Sequence, residues 1–183
     1  MYGYAQSYPS GGNHEDLVAA IAQFLEPRVY VELGVANGET FKKVFKYVRE
    51  IATAVDLEDR RFDAPYGEAK FVYFKGDTRE YLRSQEDMTI DLAFLDSSHE
   101  EQDTLEEFEL LDAKVRDNGV VLLHDAYPPD EIHAVSKRCG YVWRAVHALK
   151  ERYRERWEFC TLPSEFGVAV ARKNLGRQIF WED

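Results

Sequence analysis

An alternation along the chain limits the fold more than any other feature. Five short and almost uninterrupted apolar runs, RVYVELG (28–34), IATAVDL (51–57), KFVYFKG (70–76), IDLAFLD (90–96) and GVVLLHD (119–125), are separated by stretches of helical spacing. Runs of this length and composition predict strands buried on both faces, because a half-exposed strand would alternate apolar and polar residues. Between them lie helix-compatible stretches at 77–84 and 100–115, and a helix opened by Thr40 in which Phe41, Val44, Phe45 and Val48 share one side. Strands alternating with helices predict a parallel sheet covered on both faces. Right-handed crossovers then bring the carboxyl ends of all five strands to one edge, where ligands of such sheets bind at the point of reversed strand order.

The two ends of the chain extend this plan. Asn13 predicts a helix cap, with Leu17, Ile21, Phe24 and Leu25 turned toward the core and Pro27 as the stop. Trp143, Val146 and Leu149 predict a further helix, and WEFCTLPSEFGVAVARK reads as two strands joined by a turn too short for a helical crossover, hence an antiparallel pair. Residues 1–12, rich in Gly, Ser, Pro and Tyr, read as a flexible arm, and 13–183 as one domain.

Charge removes several classes of partner. The formal net charge is −11 and the isoelectric point about 5.0, so no broad basic surface is expected for nucleic acid. No apolar run approaches the roughly 20 residues of a membrane span, and the N-terminus lacks the basic and apolar regions of a signal peptide. Cys139 and Cys160 stand in no metal or redox spacing and are expected as reduced thiols of a cytoplasmic protein.

The strand ends carry the chemical signal. Strand one delivers Glu32 and Gly34, strand two Asp56, strand three Gly76 and Asp77, strand four Asp96, and strand five His124 and Asp125. Carboxylates at a packed sheet edge need a cationic or hydrogen-bonding partner. The turn after strand one, VELGVANGET, lacks the dinucleotide fingerprint G-x-G-x-x-G, since Ala36 and Glu39 stand where glycines are required. It offers E-x-G-x-x-x-G instead, whose leading acid suits an ammonium and a sulfonium better than a pyrophosphate. A nicotinamide-dependent oxidoreductase is disfavoured on the same ground.

With these residues in this order, the chain from about His14 onward resembles class I S-adenosylmethionine-dependent methyltransferases, including their antiparallel last strands. The resemblance implies an α/β, Rossmann-like three-layer sandwich with a mostly parallel seven-stranded sheet and an antiparallel last strand. It implies that Glu32, Gly34, Ala36, Asn37, Gly38 and Thr40 surround the methionine part of S-adenosyl-L-methionine. Asp56 would take the ribose hydroxyls, Gly76, Asp77 and Thr78 would face the adenine, and Asp96 would border the same ligand. A carboxylate is a good double acceptor for two hydroxyls.

A second layer of resemblance lies in FLDSSHEEQDTLEEFELL followed by DNGVVLLHDAYP, which is similar to metal-dependent O-methyltransferases of catechols, sugars and antibiotics. It implies a divalent metal on Asp96, His124 and Asp125, and His99 as the base that takes a proton from a small-molecule hydroxyl acceptor. That subgroup has an acid where this chain has His124, which shifts the expected ion from magnesium toward manganese, iron or zinc. The fold often dimerises, so a homodimer is the partner to test for.

Plainer roles compete with these. Ser98 and Glu101 have the spacing of a capping box that would make His99 the first residue of a helix. His124 has the alternative role of a buried histidine bonded to a carbonyl. His14, His133 and His147 are expected on the surface, and the acidic run 100–112 as the solvated face of a helix whose Leu105, Phe108 and Val115 face inward. Tyr141, Trp143 and Tyr153 are expected as packing or as the wall of an acceptor pocket. A methyltransferase-like module that binds the cofactor without turnover is the alternative to an enzyme.

Overall fold

A computed structural model describes residues 13–174 apart from 61, 64, 136 and 137. The proposed arm at 1–12 therefore lies outside the described residues. The elements run α1 (His14–Leu25), β1 (Val29–Leu33), α2 (Glu39–Phe45), β2 (Ile51–Asp56), β3 (Lys70–Lys75), α3 (Thr78–Ser84), β4 (Ile90–Leu95), α4 (Glu101–Lys114), β5 (Val115–Leu123), α5 (Val142–Tyr153), β6 (Trp157–Leu162) and β7 (Val168–Lys173). The sheet order is β3-β2-β1-β4-β5-β7-β6. All pairs from β3 to β5 are parallel, and β7 runs antiparallel to both β5 and β6. Strand order reverses between β1 and β4, which places the ligand edge where Gly34 and Asp96 end their strands.

Residue parity divides the core in two. Tyr30, Leu92, Phe94 and Leu122 point to one face and pack with Val18, Phe41, Val44 and Phe45 of α1 and α2. Val31, Leu33, Ala93, Leu95, Val121 and Leu123 point to the other and pack with Phe108, Leu111, Val146, Leu149 and Trp157. Both faces of the central strands are thus apolar, which is why these runs show no polar alternation.

The helices depart from expectation in detail. α1 is capped by Asn13, whose side chain accepts from the Asp16 amide, and ends at Glu26 in a left-handed conformation just before Pro27. Its fully buried residues are Val18, Ala19 and Ala22, while Leu17 and Ile21 are half-buried. Phe24 is 87% exposed, so the expected stripe was set about one residue off. Small side chains let α1 pack closely against α2, a preference that hydrophobic size alone does not reveal. α2 starts at Glu39 rather than Thr40, with Gly38 in the capping position at φ 77° and packed beneath the Phe62 ring. α4 shows no capping box: Glu100 occupies the cap without a side-chain bond, and the Ser98 hydroxyl accepts from the Glu100 amide at 3.3 Å. β5 begins at Val115, directly from α4, with a register shift against β4.

Candidate active site

Gly34 fixes the geometry of the switch point. Its φ is +83°, and a Cβ built there would fall 2.2 Å from the Asp96 carbonyl oxygen. The ends of β1 and β4 therefore touch backbone to backbone, closed by a hydrogen bond from the Asp96 amide to Leu33 O, while the Gly34 amide bonds to Val55 O at the end of β2. Above this contact opens a pocket of about 320 Å³. Gly34, Ala36, Asp56, Asp77, Thr78 and Asp96 all line it.

Asp56 and Asp77 are held before any ligand arrives. Asp56 Oδ2 accepts from the Val35 and Ala36 amides at 3.2 and 3.0 Å, and its Oδ1 accepts from the Glu58 amide at 2.9 Å. Asp77 caps α3 through the Arg79 and Glu80 amides and pairs with the Arg79 guanidinium, which lowers its pKa to about 2. Gly76 ends β3 by donating to Asp56 O.

Other cofactor candidates stand back from the pocket. Glu32 is 2% exposed and accepts from the Tyr30 hydroxyl at 2.5 Å and from the Phe41 amide. Burial drives its pKa well above the ordinary carboxylate range, against the lowering effect of the Tyr30 hydrogen bond. Thr40 is buried, and Asn37 is exposed with its carbonyl accepting from Lys42.

Asp96 joins this pocket to a cluster of histidines. Its Oδ1 lies 3.1 Å from His99 Nε2 and 3.2 Å from His124 Nδ1. Burial opposes the charge on Asp96, yet the two imidazoles outweigh it and hold the carboxyl below its usual range. His99 has φ 60°, its Nδ1 donates to Arg138 O at 2.8 Å, and Asp125 Oδ2 lies 3.2 Å from the same nitrogen. The Asp96 carboxylate raises the His99 pKa to about 9. Asp125, 4% exposed at its side chain, is raised by burial while His124 and His99 pull it down. Beside it the buried, free Cys139 thiol is pushed up to about 12.

Three residues escaped the sequence reading. His14 is not a surface residue: its side chain is 17% exposed and its ring centroid lies 3.9 Å from that of His124. Asp96 and His124 continue the parity of Phe94 and Leu122, toward the face that α1 covers. Glu165, in the β6–β7 turn, binds both imidazoles, the His14 Nδ1 with its carboxylate and the His124 Nε2 with its carbonyl, each at 3.1 Å. Glu107 corrects the solvated reading of the acidic run, being 2% exposed on the pocket wall and accepting from the Ser97 and Thr78 hydroxyls. Its signal was present, since Thr104, Glu107, Phe108 and Leu111 form one buried stripe at helical spacing.

Of the aromatic candidates, Tyr153 is core, its ring 5.3 Å from Phe108. Trp143 instead lines a separate cavity of about 760 Å³ with Ala126, Tyr127 and Val146. His147 is exposed, as expected, and His133 is half-buried against Phe166 and Asp130.

The titration of this cluster sets a stability profile. The His99 pKa is about 9 when folded and near 6.5 when unfolded, so its stabilisation is complete below about pH 6.5 and is lost as pH rises through about 9. The raised Glu32 and Glu107 act in the same direction, favouring the fold most when protonated. The melting temperature is expected to fall between pH 6.5 and 9.5, with a loss of order 2 kcal/mol from His99, below the full shift because its ring is partly solvated. Scanning calorimetry across that range checks this, and a flat profile would remove the His99 imidazolium.

A doubly wound sheet with an antiparallel seventh strand, and a pocket at its switch point floored by strand-end acids, is the architecture of the class I S-adenosylmethionine-dependent methyltransferases. The chain belongs to the methyltransferase-domain family, whose model matches residues 31–126, just over half of it. No curated protein matches the sequence significantly.

Solved structures share the fold at low identity. An O-methyltransferase from Bacillus cereus in complex with S-adenosylhomocysteine superposes at TM-score 0.66 and 11% identity, covering 92% of this chain and 84% of that one. The S-adenosylhomocysteine-bound methyltransferase PaMTH1 of Podospora anserina gives 0.66 and 15%, covering 88% and 78%. TomG of Streptomyces achromogenes, an O-methyltransferase of tomaymycin synthesis in complex with S-adenosylmethionine, gives 0.61 and 14%, covering 88% and 79%. Among the described residues no helix is long and apolar enough to cross a membrane.

Proposed function

We propose that this protein is an O-methyltransferase that uses S-adenosyl-L-methionine to methylate a hydroxyl of a small molecule or sugar. The observation that carries the reading is the convergence of Gly34, Ala36, Asp56, Asp77, Thr78 and Asp96 on one pocket beside a histidine-carboxylate cluster. Asp56 presents a carboxylate fixed by three amides, with acceptor capacity left for a ribose hydroxyl. Thr78, Ser97 and Glu107 form the polar wall at the adenine end, and Gly34 and Ala36 offer backbone to the methionine part.

The strand-end cluster fits a divalent cation. His124 Nδ1 lies 3.2 Å from Asp96 Oδ1 and 3.7 Å from Asp125 Oδ2, and among the described residues the ligand atoms that come within 4.8 Å of one another are those of His14, Asp96 and His124 and of Asp96, His99 and Asp125. Asp96, His124 and Asp125 would hold the ion, with the imidazole favouring manganese over magnesium. When bound, the ion acts as a Lewis acid for the acceptor hydroxyl, and S-adenosylmethionine supplies the electrophilic methyl. Asp96 borders both the pocket and the cluster, so it sets acceptor and cofactor side by side, and orientation supplies most of the acceleration.

His99 is the base in this reading. While Asp96 holds it as an imidazolium it has no lone pair to offer, and it gains one as the carboxylate is engaged elsewhere. Cation uptake is therefore coupled to proton release from His99.

Calorimetric titration with S-adenosylhomocysteine tests the core of the proposal. One site per chain is expected, weakened at least tenfold in Asp56→Ala, and absence of heat would overturn it. A panel of hydroxyl-bearing metabolites with and without added manganese then identifies the acceptor. The alternative of a silent cofactor-binding module predicts binding without turnover on any acceptor. The large cavity at Trp143 and Tyr127 follows Asp125 in the chain and is the proposed acceptor side.

A further inference from the structure

We propose that His14, in the first turn of α1, completes a nitrogen-rich transition-metal centre with Asp96 and His124. The inference rests on Asp96 and His124 as ligands; it sets His14 beside them in place of Asp125 and names the class of ion.

Each histidine around Asp96 has one ring nitrogen anchored to an oxygen. His14 Nδ1 meets Glu165 Oε2 at 3.1 Å, His124 Nε2 meets Glu165 O at 3.1 Å, and His99 Nδ1 meets Arg138 O at 2.8 Å. A ring nitrogen facing a carbonyl or carboxylate oxygen carries the proton, so in the neutral ring the opposite nitrogen holds the lone pair. That outward hydrogen bond to a carboxylate or carbonyl is how proteins fix the tautomer and orientation of a metal-ligating histidine. For His124 the remaining nitrogen, Nδ1, faces the Asp96 carboxylate at 3.2 Å, and the proton between them gives way when an ion binds. For His14, with Nδ1 committed to Glu165, the nitrogen on offer is Nε2.

The positions agree with the chemistry. One ligand atom each from His14, Asp96 and His124 lie within 4.8 Å of one another. Glu165 grips both imidazoles through its carboxylate and its carbonyl, and it also accepts the His14 backbone amide at 3.2 Å. A single turn residue thus sets two ligands from α1 and β5. His14 remains partly exposed, which leaves an entry path for the ion.

Two imidazoles and one carboxylate suit zinc, iron, cobalt or copper, whereas magnesium keeps oxygen ligands and water. Binding to the chelator-stripped full-length chain separates these cases. Zinc is expected to bind one per chain, at least 100-fold more tightly than magnesium. His14→Gln is expected to weaken zinc at least tenfold and leave magnesium within twofold. With copper(II), electron paramagnetic resonance should show one fewer nitrogen coupled to the ion in His14→Gln. Circular dichroism checks the fold, and if His14→Gln fails to fold, Glu165→Ala should weaken zinc about tenfold through the lost anchor.

Unchanged zinc affinity in a folded His14→Gln, with loss in Asp96→Asn, would overturn the role of His14 and leave a metal on Asp96 standing. Equal affinity for zinc and magnesium would overturn the ion class. No metal uptake at all would overturn this inference and the metal-assisted part of the function, while cofactor binding, measured separately, would still stand or fall by itself.

Discussion

Alanine at Gly34 is expected to lower the stability of the protein by about 3 kcal/mol or more. Two penalties combine there. The backbone sits at φ +83°, where a side chain is strained, and the added Cβ would meet the Asp96 carbonyl at 2.2 Å with only backbone able to yield. To relieve the clash, β1 and β4 must part at the edge that frames the pocket. Urea unfolding should report the loss, and S-adenosylhomocysteine affinity should fall with it. A loss below about 1 kcal/mol would mean that the two strand ends separate freely.

Asp96→Asn is expected to reduce turnover by roughly a thousandfold, a magnitude typical of losing a positioned acid-base and charge-holding group. Its carboxylate is the shared partner of His99 and His124 and also borders the cofactor pocket. Before an acceptor is known, proton NMR of the His99 ring offers a direct readout. Its pKa should drop from about 9 toward the ordinary histidine value once the carboxylate is gone. An unshifted His99 would assign its elevation to Arg138 O and Asp125 instead.

Which parts of this molecule were legible in the sequence follows from the physics of each signal. Continuous apolar runs such as IDLAFLD report burial on both faces, so the strands, their parallel direction and the antiparallel tail could be read from local pattern, while the strand order came only with the fold. Gly34, Ala36, Asp56, Asp77, Thr78 and Asp96 could be placed on one pocket because topology brings strand ends to one edge, whereas Arg79, Ser97 and Glu107 on the same walls carry no such signal. α1 was harder, because its close contact is made by Val18, Ala19 and Ala22 while a large Phe24 faces water. Glu107 was misread because an acidic run suggests solvent, although its spacing from Thr104 and Leu111 marked it as inward. His14 and Glu165 were beyond local reading. They are 151 residues apart and meet only because β6 and β7 return the chain beside β5, opposite the start of α1.

Asp56 has a consequence for recognition itself. Three amides from two loops fix both of its oxygens, so the carboxylate has lost its rotational freedom during folding rather than on meeting a ligand. A ribose-like diol arriving there finds a rigid acceptor and forfeits no further side-chain entropy on its account. Glutamate at this position would keep the charge yet reintroduce a rotor, and the site would then discriminate less sharply between a diol and water.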